Sequence, residues 1–253
     1  MNNSAMPEIV TITIVLEESP SIKTFVFDKL FNFKPGQFCM VWIPGVDEIP
    51  MAFSAANSIT VMKVGDATEA LFNLKAGDKI GIRGPFGNGF SAKGKVLAIA
   101  GGIGVTPLFT LAASGEVDTF ILGAKTKSDM IFADDLAKVT DLHIATDDGT
   151  AGYHGFVTGL LDEIKPEDYD TICVCGPEMM MFGILKILKD KGIETRGQFS
   201  MHRYMKCAIG VCGSCCIDPT GQRACTDGPI FTGDILAHGE LGKHHRGASG
   251  KRE

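Results

Sequence analysis

The chain has 253 residues, 45% of them hydrophobic and 21% charged, which excludes wholesale disorder and allows a real core without disulfide staples. Its formal charge of −6, from 24 Lys and Arg against 30 Asp and Glu, argues against a general nucleic-acid binder. The opening MNNSAMPEIV lacks the basic and apolar regions of a secretion signal, so a cytoplasmic protein is expected.

In chain order, residues 8–65 read as short strands. IVTITIVLE, IKTFVFD, QFCMVWIP and SITVMKV are β-branched or aromatic, separated by turn signals. This spacing predicts a sandwich or small barrel. DATEALFNLK is predicted as a short helix, and DKIGIRGPFGNGF as a strand with a glycine-rich loop. The pattern changes near Lys93. KVLAIAGG is a continuous apolar strand, of the kind buried on both faces of a parallel sheet. Val96 to Ala113 carries no charge and is long enough to imitate a membrane span, but GGIGVTP at its centre fits a strand, a tight loop and a helix start. Helix TPLFTLAAS, strand TFILGAK, helix DMIFADDLAKV, strand LHIATDD, helix GFVTGLLDEI, strand DTICVCG and helix PEMMMFGILKILKDKG follow. Strand–helix alternation implies right-handed βαβ units in a doubly wound parallel sheet. The expected organisation is a β-barrel over 1–93, an α/β domain over 94–197, a cysteine-rich module over 198–238 and a polar, mobile tail over 239–253.

Five of the eight cysteines fall between Cys207 and Cys225. Without a secretion signal, such a cluster points to metal or redox chemistry. Cys207, Cys212 and Cys215 have the spacing C-x4-C-x2-C, and Cys225 follows; this is the plant-type [2Fe–2S] spacing. Gly210 and Gly213 allow positive φ, which turns backbone N–H groups toward a cluster. Zinc favours paired C-x2-C knuckles, and only one such pair occurs among these four. Zinc and inert buried thiols are the competing readings. Cys216, adjacent to Cys215, is expected to turn away from the metal.

AGGIGVTP ends a buried strand and opens a helix, a setting in which glycines let backbone approach a pyrophosphate. It is not GxGxxG, and a tight strand–helix turn explains it as well. Cys175-Gly176-Pro177 ends another strand, so both loops should share one sheet edge; a packed strand-end thiol is the alternative for Cys175. Asp147 and Asp148 fit either a ribose contact or a strand cap.

GGIGVTP, CGP and the cysteine set, in this order, resemble the ferredoxin–NADP reductase superfamily, and MKCAIGVCGSC followed by CTDGPIF resembles the electron-transfer subunits of dihydroorotate dehydrogenase. The resemblance spans residues 8 to about 235. It implies an FAD-binding barrel, an NAD-binding α/β domain and a small [2Fe–2S] module. It implies Cys207, Cys212, Cys215 and Cys225 as cluster ligands. Gly101, Gly102, Gly104, Thr106 and Pro107 match the nicotinamide-nucleotide loop, and Cys175, Gly176 and Pro177 match the turn beside the redox rings. Met51, Ala52, Phe53 and Ser54 match the flavin motif, with Gly65 and Thr68 on its phosphate side. The arginine of that motif is Met51 here, and Lys63 or Arg83 are the candidates to replace it. The implied partner is an FMN-containing catalytic subunit that oxidises dihydroorotate in pyrimidine biosynthesis, within a hetero-oligomer such as a heterotetramer. Subunits of hydrogenases, sulfite reductases and sulfide dehydrogenases share much of the pattern, although the last carry an aspartate where Cys207 stands. A zinc-stapled nucleotide-binding module is the reading of another class. A nicotinamide exchanges electrons in pairs and an iron–sulfur cluster singly, so a flavin is expected between them. No acid–base residue is then required in this chain. Arg203, Tyr204 and Met205 flank the cysteines and are expected at the partner interface.

Overall fold

The computed structural model describes residues 6–247 and 249–252. Six antiparallel strands close a barrel: β1 (Glu8–Ser19), β2 (Ile22–Phe27), β3 (Phe38–Ile43), β4 (Asp47–Ala55), β5 (Ser58–Met62) and β6 (Lys79–Phe86), in the order β1-β2-β5-β4-β3-β6. Period-two alternation sends Val10, Ile12, Phe25, Val41, Ile59, Ile80 and Ile82 inward, all essentially buried. The short helix α1 (Asp66–Phe72) contributes fully buried Leu71 to the same core. Strand β4 was hidden in the sequence because Asp47, Glu48 and Pro50 interrupt the apolar pattern. It nevertheless pairs along its length with β3, from Phe38–Ala52 to Ile43–Asp47.

The second unit is a seven-stranded sheet. Its strands are β7 (Val96–Gly101), β8 (Thr119–Ala124), β9 (Asp141–Thr146), β10 (Tyr153–His154), β11 (Thr171–Cys175), β12 (Gly197–Ser200) and β15 (Ile230–Thr232), in the order β10-β9-β8-β7-β11-β12-β15. All neighbours pair in parallel except β15 on β12. Every residue of β7, β8 and β11 is buried, as their unbroken apolar runs predict. Helices α2 (Val105–Ala113) and α3 (Ala133–Val139) cover one face, and α4 (Glu178–Asp190) covers the other. The uncharged stretch from Val96 to Ala113 is β7, a turn and α2, and among the described residues no helix is long and apolar enough to cross a membrane. GFVTGLLDEI forms a 3-10 turn over Val157–Asp162 instead of an α-helix. Its Gly155 and Gly159 weaken helix propensity, and a short turn brings Val157 against Gly123 of β8.

The cysteine module is less separate than expected. Gln198 to Ser200 and Ile230 to Thr232 are strands of the large sheet, so the expected break at residue 197 cuts through β12. Between them lie the cysteine loop and a small hairpin, β13 (Cys216–Ile217) with β14 (Gln222–Arg223); α5 (Gly233–Leu236) follows β15.

The tail is a correction too. From Gly239 it was expected to be mobile, yet Glu240 and Leu241 are each 1% exposed. Glu240 accepts from Nε of buried Arg203 at 2.5 Å and from the Asp218 N–H at 2.8 Å, while the Gly242 N–H donates to Glu178 at 3.0 Å. A buried guanidinium requires a carboxylate partner, and the tail supplies it. Arg246 and Arg252 then pair with Asp218 at 2.8 and 2.9 Å.

Phe120 is 0% exposed beneath α2 and α3. Phe120→Ala should cost about 3–5 kcal/mol, read as a lower denaturant midpoint at unchanged slope. Hydrogen bonds from Arg246 hold the Asp218 carboxyl down at about 2, well below its ordinary value. Its contribution is therefore complete above the usual carboxylate pKa and lost as pH falls through about 2. Hydrogen exchange of residues 240–247 should accelerate over that acid window, and Asp218→Asn should make it pH-insensitive there.

Candidate cofactor cavity and cysteine loop

The chain runs from β7 outward through β8 and β9, then returns to β11 on the other side of β7. The sheet order therefore reverses between β7 and β11, and in such sheets ligands bind beyond the carboxyl ends of the strands flanking the reversal. The two glycine-bearing loops leave the sheet there. Ala100 of β7 is in register with Cys175 of β11. A Cβ on Gly104 would lie 2.5 Å from the Cys175 carbonyl oxygen, and one on Gly176 would lie 2.9 Å from the Gly101 nitrogen. Glycine is needed at both positions because backbone meets backbone. Gly102 has φ +53, and Pro177 caps α4.

Above these loops the barrel and the sheet enclose a cavity of about 300 Å³. Strand β4 lends Pro50, Met51 and Ala52; β5 lends Thr60 and Met62; Thr68 comes from the first turn of α1. Gly104, Thr106, Pro107 and Cys175 form the sheet side, and Ser200 to Arg203 with Met205 close the third wall. Thr68 is fixed because its hydroxyl accepts the Val64 and Gly65 N–H groups at 2.8 and 3.0 Å and donates to the Gly65 carbonyl. Two buried polar atoms among the lining residues have no protein partner, the Thr106 hydroxyl and Arg203 Nη2. A buried polar group of this kind requires an acceptor or donor from a ligand or water.

Not every expected flavin residue reaches the cavity. Phe53 is a barrel-core residue, 1% exposed and stacked on Phe33 with ring centroids 4.5 Å apart. Ser54 is buried against Ser58, hydroxyl to hydroxyl at 2.8 Å. Neither is among the lining residues; both are buried where the pairing of β4 with β5 becomes irregular between Phe53 and Ala55. Gly65 is exposed and acts as the N-cap of α1. Gly101, Gly102, Gly176 and Pro177 shape the loops without forming the wall. Of the two candidates for the missing arginine, Lys63 is exposed and Arg83 is held by other partners; neither is among the lining residues. Lys63 lies over the Phe72 ring at 5.7 Å. Arg83 donates to both Glu48 oxygens at 2.9 and 2.7 Å and to the Cys207 carbonyl at 3.1 Å, which ties the barrel to the cysteine loop. Met51 lines the cavity as the sequence suggested, with no cation beside it from β4.

His202 and Arg203 were not read as cavity residues. Arg203, expected at a partner interface, is 1% exposed in its side chain, and Met205 is buried; of the three only Tyr204 faces solvent. The available signal was the strand before them: the alternation of β12 continues through Met201, Arg203 and Met205, which are all buried. His202 Nε2 lies 3.7 Å from the Cys175 sulfur. Burial pushes the Cys175 thiol up to about 12, so it stays protonated and is no nucleophile. His202 is exposed and opens onto the cavity. Desolvation by the atoms packed around it, with the Arg203 charge, draws its pKa below the usual imidazole value.

In the cysteine loop, Gly210 and Gly213 have φ of +78 and +72, as expected, and Ala208 joins them at +58. The Cys212 N–H points at Cys207 Sγ, 3.4 Å away. Cys215 and Cys225 interact with each other, and both are buried. The thiols therefore fall into two pairs. Hydrogen bonds from Ser214 draw the Cys212 thiol down to about 6, the Cys225 contact draws Cys215 down to about 7, and Cys225 is pushed up as the proton-holding partner. Metal binding requires thiolates, so this loop is prepared for deprotonation. Among the described residues, no three cysteine sulfurs lie within 4.8 Å of one another. One tetrahedral zinc draws all its sulfurs closer than that, whereas two irons accept two pairs. Cys216 lies in β13, within electrostatic reach of Arg246 in the tail.

Comparison with known proteins covers the same ground. The iron–sulfur cluster binding domain of dihydroorotate dehydrogenase B matches residues 202–237. A protein of Methanocella arvoryzae named "probable dihydroorotate dehydrogenase B (NAD(+)), electron transfer subunit" is 49% identical over 98% of this chain and 98% of its own. Its namesake from Methanocaldococcus jannaschii is 50% identical over 97% and 98%. The solved structure of an NADH-dependent reduced ferredoxin–NADP oxidoreductase, studied for flavin-based electron bifurcation, is 27% identical with a TM-score of 0.80, covering 90% of this chain and 89% of that one. Identity at this level runs through barrel, sheet and cysteine loop alike, and the chain belongs to the family of dihydroorotate dehydrogenase B (NAD(+)) electron transfer subunits.

Proposed function

We propose that the chain is the electron-transfer subunit of an NAD-linked dihydroorotate dehydrogenase. In this reading FAD lies in the cavity between barrel and sheet. NAD(H) enters over the β7 and β11 loops, and a [2Fe–2S] cluster is held by Cys207 and Cys212 on one side and Cys215 and Cys225 on the other. The observation that carries it is continuity: Met205 lines the cavity and is two residues from Cys207. Two residues of chain span at most about 7 Å, so the cavity and the first cluster thiol are neighbours.

Bound FAD would supply the exchange between electron pairs and single electrons that the other two groups cannot make directly. The protein's share is placement. Gly101 to Pro107 and Gly176 to Pro177 let a nucleotide approach the backbone, and the Thr106 hydroxyl offers it a hydrogen bond. Met51, Met62 and Met205 give a ring apolar walls, and exclude water from it. Arg83 fixes the Cys207 carbonyl from the barrel side, so the cluster loop and the cavity wall move as one body. No acid–base residue has a part. An FMN-containing catalytic subunit that oxidises dihydroorotate is the partner, in a hetero-oligomer. The exposed thiol of Cys212, with Ile209 at 54% and Val211 at 79% exposure, marks the side from which electrons leave. Eight free cysteines accord with the reducing cytoplasm this role implies.

Anaerobically purified chain should carry about two irons and two acid-labile sulfides on four thiolates, with one FAD. Zinc without sulfide or flavin would refute the assignment. Cys207→Ser, Cys212→Ser and Cys225→Ser should each abolish the cluster spectrum while FAD stays bound; an unchanged iron content would remove that residue from the ligand set. Gly104→Ala forces its methyl onto the Cys175 carbonyl and should displace the nicotinamide loop. Reduction of bound FAD by NADH should then slow by about tenfold to a hundredfold in stopped-flow absorbance, the effect of moving a reacting pair by about an ångström.

A further inference from the structure

Arg83 sits on β6 of the barrel, yet its side chain serves the cysteine loop. The side chain is 8% exposed. Nε and Nη2 donate to the two oxygens of Glu48 at 2.9 and 2.7 Å, and Nη1 donates to the Cys207 carbonyl at 3.1 Å. The guanidinium is also within electrostatic reach of the Cys207 thiol. A second arginine holds the same loop from β14, where Arg223 Nη1 donates to the Gly210 carbonyl at 2.9 Å. The loop is therefore sorted by polarity. Its Cys207 and Gly210 carbonyls face guanidinium groups, while the Cys212 N–H points at Cys207 Sγ and the Gly210 N–H at the Cys225 thiol. Pinned at two carbonyls, a short loop with positive φ at Ala208 and Gly210 has little freedom to turn those N–H groups away.

The two arginines differ in their surroundings. The Arg223 side chain is 43% exposed and pairs with Asp227 at 3.3 Å, so solvent screens its charge. Arg83 is buried, and a buried charge is screened much less. Glu48 opposes it and at the same time fixes its fork. We propose that Arg83 is a redox-positioning residue of the cysteine loop: its guanidinium favours the reduced, more negative state of a [2Fe–2S] cluster held there and raises its reduction potential, while Glu48 orients the guanidinium and offsets part of its charge. The inference rests on the cluster assignment made above. A residue of the barrel thus sets how readily the neighbouring cluster takes an electron from the flavin side.

The test uses the full chain, purified anaerobically with cluster and FAD in place, as wild type, Arg83→Gln, Arg83→Lys and Glu48→Gln. The cluster potential is read by redox titration of its electron paramagnetic resonance signal. Iron and sulfide content and visible circular dichroism report whether the cluster is intact. One unit charge acting through protein changes a one-electron equilibrium by about tenfold, equivalent to about 59 mV. Arg83→Gln should lower the cluster potential by about that amount. Arg83→Lys keeps the charge without the fork and should recover part of the loss. Glu48→Gln keeps an acceptor for Arg83, removes the opposing charge and should raise the potential. A merely structural role does not give shifts of opposite sign. An unchanged potential in cluster-loaded variants, or shifts of the same sign in Arg83→Gln and Glu48→Gln, would overturn the inference and leave the proposed function intact. Where Arg83→Gln does not assemble a cluster, Glu48→Gln decides alone: a raised potential supports the inference, and an unchanged or lowered one overturns it. A wild-type chain without iron and sulfide overturns both.

Discussion

The close approach of two backbones at the ends of β7 and β11 sets the geometry of everything around it. With Gly104 against the Cys175 carbonyl and Gly176 against the Gly101 nitrogen, no side chain separates the two loops. The starts of α2 and α4 are drawn to one edge of the sheet, at the point where strand order reverses. The barrel can then seat β4 against α2 and form the facing wall of the cavity. A side chain at either glycine would push the loops apart and widen that cavity before any ligand entered.

The second organising feature is the return of the chain after the cysteine loop. Because β15 pairs with β12, the loop leaves the sheet and re-enters it within one continuous segment. Arg83 holds it from the barrel, and the Arg203 group holds it from the tail. Buried ion pairs are weak sources of stability, since desolvation of both partners offsets much of their attraction. Their value here is geometric. Arg83 and Arg203 each hold several partners at once, which restricts how the wall between cavity and thiols can shift.

Much of this was legible in the residues. Continuous apolar strands announced the parallel sheet, the turn glycines announced its loops, and the cysteine spacing announced an iron–sulfur loop. What was not legible has physical causes. Strand β4 contains Pro50 and two acids, so its pattern is masked until β3 and β5 flank it. Phe53 and Ser54 sit in a motif that suggests ligand contact, but an irregularity in the β4–β5 pairing, which no sequence pattern marks, buries both. The tail reads as polar because it carries histidines, lysines and arginines; composition does not reveal that Glu240 answers a buried arginine about 37 residues earlier. Arg203 itself is a charged residue in a strand-like run, and only the alternation of Met201 and Met205 around it marks its burial.

The charges near the cavity form a consistent set. Burial keeps Cys175 protonated, Arg203 is answered by Glu178 and Glu240, and Arg246 and Arg252 answer Asp218 beside Glu240. The charges behind the cavity wall are therefore paired among themselves. A positive field would stabilise an added electron where it first arrives and hold it there. Ion pairs closed among themselves in this way put little such field on the cavity. The thiols two residues beyond the cavity wall are the contrasting environment, with glycine-bearing backbone and two of the four thiols drawn toward their ionised form. The fold thus separates a site that positions from a site that binds metal, and joins them by the short segment from Arg203 to Cys207.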